Sequence, residues 1–132
     1  MRIPLSKLLQ VAAPILLAST AFSQRFGPGQ YVTSYINKPL AMFPCDLDGD
    51  GDVDVLASEY WNSTVSWYEN NGDGTFKAKK IIASKVGQST SVFATDLDGD
   101  GDADVLWTSW TYNKVVWQEN LGGGSFGPEQ VI

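Results

Sequence analysis

The chain has 132 residues and a formal net charge of −6, with one cysteine and no histidine. A lone cysteine excludes an intrachain disulfide, and the missing histidine removes Ser-His-Asp triads, Cys-His pairs and histidine-bound zinc. The acidic balance argues against nucleic acid as a partner.

In chain order, the first 23 residues read as a secretory signal peptide. Arg2 and Lys7 give a positive start, Leu8 to Ala18 is largely apolar, and Ala21-Phe22-Ser23 offers small residues for cleavage before Gln24. The apolar stretch is shorter than the ~20 residues that span a bilayer, and Pro14 interrupts it. The expectation is a secreted, periplasmic or cell-surface protein with no membrane anchor after cleavage. Cleavage leaves seven basic residues against fifteen acidic ones, ten of which lie in two short loops.

Those loops are the dominant motif. Asp46-Leu47-Asp48-Gly49-Asp50-Gly51-Asp52-Val53-Asp54 returns fifty residues later as Asp96-Leu97-Asp98-Gly99-Asp100-Gly101-Asp102-Ala103-Asp104. Five aspartates on alternate positions repel one another unless a cation or protons neutralise them. An all-oxygen donor set with glycines to turn the backbone suits calcium, which takes about 6–8 such ligands. Two calcium sites are expected. The loop is not an EF-hand: the position that needs a bidentate glutamate holds Ala57 in one copy and Trp107 in the other, and strand-like sequence follows.

Aligning 26–75 with 76–125 needs no gap and gives 19 identities in 50 positions. They include Phe43/Phe93, Val65/Val115, Trp67/Trp117, Asn70/Asn120, Gly72/Gly122 and Gly74/Gly124. Each copy reads as four short strands. A strand near 40–43 (91–95) enters the acidic loop, and 53–58 (103–109) leaves it. A polar turn leads to 64–69 (114–119), where Val65/Val115 and Trp67/Trp117 share a face assigned to the core. Asn71-Gly72-Asp73-Gly74 signals a hairpin into a fourth strand at 76–82. Asp73 has Gly123 as its counterpart and reads as turn chemistry rather than a ligand.

The doubled acidic loop and the Glu-Asn-Asn-Gly-Asp-Gly-Thr-Phe hairpin resemble the FG-GAP/VCBS repeat family, whose blades build β-propellers such as those of integrin alpha subunits. The resemblance implies an all-β fold of two four-stranded antiparallel propeller-type blades, over 38–87 and 88–132. An extra N-terminal strand within 24–37 would match the fourth strand of a preceding blade. It also implies that Asp46, Asp48, Asp50 and Asp54 offer side-chain oxygens to calcium and Asp52 its carbonyl. The second set is Asp96, Asp98, Asp100 and Asp104, with the carbonyl of Asp102.

The functional expectation is a secreted calcium-stabilised binding or adhesion module, without catalysis, toward a protein or glycan ligand. Copies of the chain could complete a propeller, because two blades leave sheet edges open. The alternative is a lectin-like propeller in which Tyr60, Trp61, Trp110 and Tyr112 stack on sugars; packing of these rings between blades is the favoured reading. Part of an extracellular enzyme is a remote third.

Overall fold

A computed structural model describes residues 28–132; the predicted signal peptide lies outside them. Among these residues there are eight strands and no helix. Strands β1 (Pro39–Cys45), β2 (Asp54–Glu59), β3 (Thr64–Tyr68) and β4 (Lys80–Ser84) form one antiparallel meander. Strands β5 (Ser89–Thr95), β6 (Asp104–Ser109), β7 (Lys114–Asn120) and β8 (Phe126–Val131) form a second. The described residues are all-β, with two four-stranded sheets of the propeller-blade kind.

Duplication extends to the backbone. Lys38 and Gln88 both sit in the left-handed region, at φ 53° and 52°, and Ser63 and Asn113 both at 51°. The amides of Tyr60 and Trp110 donate to the carbonyls of Lys38 and Gln88 at 3.1 and 3.4 Å. Non-glycine residues rarely adopt positive φ, so the same exception at paired positions marks one design used twice.

Each sheet has two apolar faces, which is how a blade meets neighbours on both sides. On the first sheet, Phe43, Leu56 and Trp67 are aligned across β1, β2 and β3, and this face turns to the second sheet. There Leu56, Val65 and Trp67 join Val92, Val105, Trp107 and Val116 in one buried core. Trp67 meets Phe126 edge-on at 6.5 Å, and Lys80 Nζ lies 4.5 Å from the Trp67 ring centroid.

Three expectations need correction. The core face assigned to Val115 and Trp117 is open: Val115 is 46 % exposed and Trp117 half-buried. Pairing burial with sequence identity fails here because a blade face is covered by the next sheet, and no third sheet lies on this one among the described residues. The fourth strand of the first blade starts at Lys80, not Phe76. Phe76 makes only an isolated bridge with Asn70, and the ladder resumes beyond the lysine-rich 77–79 stretch at Lys80 opposite Trp67, with a register shift further on between Ser66 and Val65. Lastly, the described part of the expected N-terminal strand, 28–37, forms no strand. Its partner would be the third strand of a preceding blade. Instead it straps the other face of the first sheet, where Tyr31, Val32 and Ile36 surround a pocket with Met42, Val55 and Tyr68.

Candidate metal centre

Both acidic loops link the first strand of a blade to the second, between β1 and β2 and between β5 and β6. Their local fold follows from aspartates capping their own backbone. Asp46 accepts the amides of Gly49 and Gly51 at 2.8 and 3.0 Å, and Asp96 those of Gly99 and Gly101 at 2.7 and 3.1 Å. Asp50 and Asp100 each accept the amide two residues on, at 2.9 Å. Gly49, Gly51, Gly99 and Gly101 all have φ between 79° and 103°, where a β-carbon would be strained.

The curled loops gather carboxylates. Oxygens of Asp46, Asp48 and Asp50 lie within 4.8 Å of one another, as do those of Asp96, Asp98 and Asp104. Asp54 and Asp104 are fully buried and anchor the loops to the sheet. Asp54 accepts the amides of Leu47 (3.1 Å) and Asn70 (2.8 Å); Asp104 accepts those of Leu97 (3.0 Å) and Asn120 (2.8 Å). Asp52 and Asp102 stand apart. Their carboxylates turn toward Gly72 and Gly122, where an added β-carbon would come within 2.6 and 3.3 Å of an oxygen. A side chain there leaves the cluster, which is compatible with the carbonyl role that the resemblance implies. Asp73 only caps its turn, accepting the Thr75 amide at 2.9 Å.

Electrostatics match a cation-binding loop. Burial raises the Asp48 carboxyl above the usual carboxylate range, and Asp50 and Asp54 add to it. Asp98 is raised too, first by burial, against the Asp100 amide, with Asp100, Asp104 and Asp96 repelling its charge. A bound cation would reverse that repulsion. Cys45, just before the first loop, has its thiol pushed up to about 12 by burial and by Asp54 and Asp46. The carboxylates that converge are all aspartates, so the donor set is oxygen, and the residues present fit a hard divalent cation.

One element of the site was missed at the level of sequence. The sequence marks Asn70 and Asn120 as repeat positions without tying them to the loops. Their side-chain amides donate to the carbonyls of Val53 (2.9 Å) and Ala103 (3.1 Å), locking the hairpin to the loop end. Asn120 also donates to the carbonyl of Leu47 at 2.8 Å, so the second blade holds the first blade's loop. The fifty-residue recurrence was the available signal. The predicted aromatic cluster splits differently: Tyr60 and Trp61 meet edge-on at 5.2 Å, but Trp61 is 64 % and Trp110 73 % exposed. The indoles of Trp61 and Trp110 do not pack between the two blades.

Residues 46–107 match the model of the FG-GAP-like repeat. This stretch, a little under half of the chain, is similar to that family. The match opens on Asp46 and closes just past Asp104, so it spans both acidic loops and the strands between them. No curated protein matches the chain. An FG-GAP repeat carries the propeller-type blade, and here it brings two carboxylate groups that could hold a metal ion.

Proposed function

We propose that the chain is an exported binding module whose two FG-GAP loops each hold a calcium ion that stabilises the blades. The observation that carries this reading is the repetition of one loop geometry, with the same capping bonds and the same buried anchoring aspartate, at two positions fifty residues apart. Asp46, Asp48, Asp50 and Asp54 would hold one ion, and Asp96, Asp98, Asp100 and Asp104 the other, with the carbonyls of Asp52 and Asp102. The ion supplies positive charge where carboxylates converge. The signal-like N-terminus supports export, and a surface of propeller blades suits recognition rather than catalysis. Adhesion to a protein ligand is the first reading of that recognition. The exposed Trp61 and Trp110 favour a glycan as the second, since an indole face stacks on a sugar ring.

Extracellular calcium modules bind with dissociation constants of ~0.1–1 mM, so millimolar calcium contributes about 0.4–1.4 kcal/mol per site. For a domain of this size each kcal/mol moves the melting temperature by about 4–8 °C. Thermal unfolding in millimolar calcium against excess chelator should therefore show a rise of several degrees with calcium. Identical melting curves in the two conditions would remove calcium from the account.

A further inference from the structure

The open face of the second blade and the strapped face of the first are two halves of an interface that the chain already contains once. We propose that a second copy of the chain docks its first blade onto this open face, repeating head to tail the packing of the second blade on the first.

The correspondence can be followed through several contacts. Val86, in the link between the blades, is buried, and its amide donates to the carbonyl of Ser63 at 3.0 Å. Fifty residues earlier stands Ile36, on a link with the same positive φ two residues on. The seat that Val86 fills on the first blade has its equivalent on the second as an open groove lined by Thr90, Thr108, Trp110, Asn113 and Val115. Ile36 of the second copy fits that groove, with its amide toward the carbonyl of Asn113.

The other contacts carry over in the same way. Leu47 is 1 % exposed beneath the second blade, whereas its equivalent Leu97 is 47 % exposed. Asn120 holds the Leu47 carbonyl, and Asn70 of a second copy is the equivalent donor for that of Leu97. Phe126 abuts Trp67 in the chain, and Phe76 of a second copy would abut the half-buried Trp117. The open face is apolar where the internal interface is apolar: Val115 is 46 % exposed, and Phe93, whose ring meets Phe43 at 4.5 Å, still leaves 48 % of its surface open. An uncovered sheet face of this kind calls for a partner, and the partner whose shape is already on the page is the first blade. Unlike surfaces meet, so the contact is heterologous and can repeat.

The strap must give way for this. Gln30 to Thr33 lie over the first blade's donor face with a cavity of about 240 Å³ between them and the sheet. Loose packing of that kind forfeits contacts and is readily displaced. Ile36, in the link just before β1, acts as the knob. The inference rests on blade geometry and stands apart from the calcium reading.

The test is sedimentation of the full chain, processed by its host, with two variants: Ile36→Asp on the donor face and Val115→Asp on the acceptor face. Wild type is expected to form species of at least twice the single-chain mass. Each variant alone should be reduced to one chain, and an equimolar mixture should give a two-chain complex and nothing larger. That follows because the mixture retains one intact donor face and one intact acceptor face. Thr108→Arg, which fills the groove without touching the apolar centre, should behave as Val115→Asp and guards against a folding defect. Wild type sedimenting as one chain at every concentration would overturn the proposal, as would an oligomer that survives both variants. So would a mixture that stays at one chain with Thr108→Arg as the acceptor variant, the result expected if a different molecule covers the face.

Discussion

Trp67→Ala is expected to lower the stability of the chain by about 3–5 kcal/mol, the range for truncating a buried aromatic side chain. The indole is 1 % exposed and sits where the two blades meet. It faces Phe126 and Lys80, and Gly124 packs so close that a β-carbon there would fall 2.3 Å from the ring. No small rearrangement fills that space, because the glycine backbone is held at φ 69° in its turn. The indole N–H has no hydrogen-bond partner, so its removal relieves a buried unpaired donor and draws the cost toward the lower end. Small domains are stable by only about 5–15 kcal/mol, so the loss is a large share. Trp117→Ala, at the equivalent position of the second blade, should cost clearly less in dilute solution, where its face is open. Urea unfolding of the two variants makes the comparison. Equal losses would mean that Trp67 is not the wedge between blades.

Glu59→Ala is expected to cost about 3–5 kcal/mol at neutral pH, as removal of one partner from a buried ion pair does. Glu59 is fully buried and gathers donors from three parts of the chain. Lys79 approaches at 2.9 Å, Ser66 at 2.9 Å, Asn62 at 2.7 Å and the Asn37 amide at 3.3 Å. Removing the carboxylate strands the buried Ser66 hydroxyl and takes the counter-ion from Lys79, while the exposed Asn37 and Asn62 can turn to water. Burial works against ionisation, but Lys79, Ser66, Asn37 and Asn62 outweigh it and hold the carboxyl below its ordinary value of 4.5. A lowered folded-state pKa contributes stability that is present above the ordinary value and lost as pH falls through the lowered one. The stability difference between wild type and Glu59→Gln should therefore be largest above about pH 5 and shrink in the acid range. A difference that does not change with pH would show that the Lys79 pair contributes nothing through charge.

These two residues show what sequence could and could not reveal. The acidic loops were legible because their information is local: alternating aspartates and glycines cap one another within nine residues. The hairpin at Gly72 and the blade count were legible for the same reason. Trp67 and Trp117, identical in register, were given the same environment, although burial of a blade face is decided by the neighbouring sheet. Glu59 held no repeat signal, because its counterpart Ser109 instead donates to the Gly87 carbonyl at 3.1 Å. Its partner Lys79 lies twenty residues away in the stretch that interrupts the fourth strand. The N-terminal strand failed because a strand needs a ladder to join, and 28–37 finds a sheet face instead.

Calcium occupancy is the most direct measure of the central claim. Native mass measurement of the folded chain in calcium should show two ions per chain. Asp46→Asn with Asp48→Asn should leave one, and adding Asp96→Asn with Asp98→Asn should leave none. A wild-type chain that binds no calcium, or whose bound ions are unaffected by these four substitutions, would contradict the reading of the paired loops as metal sites.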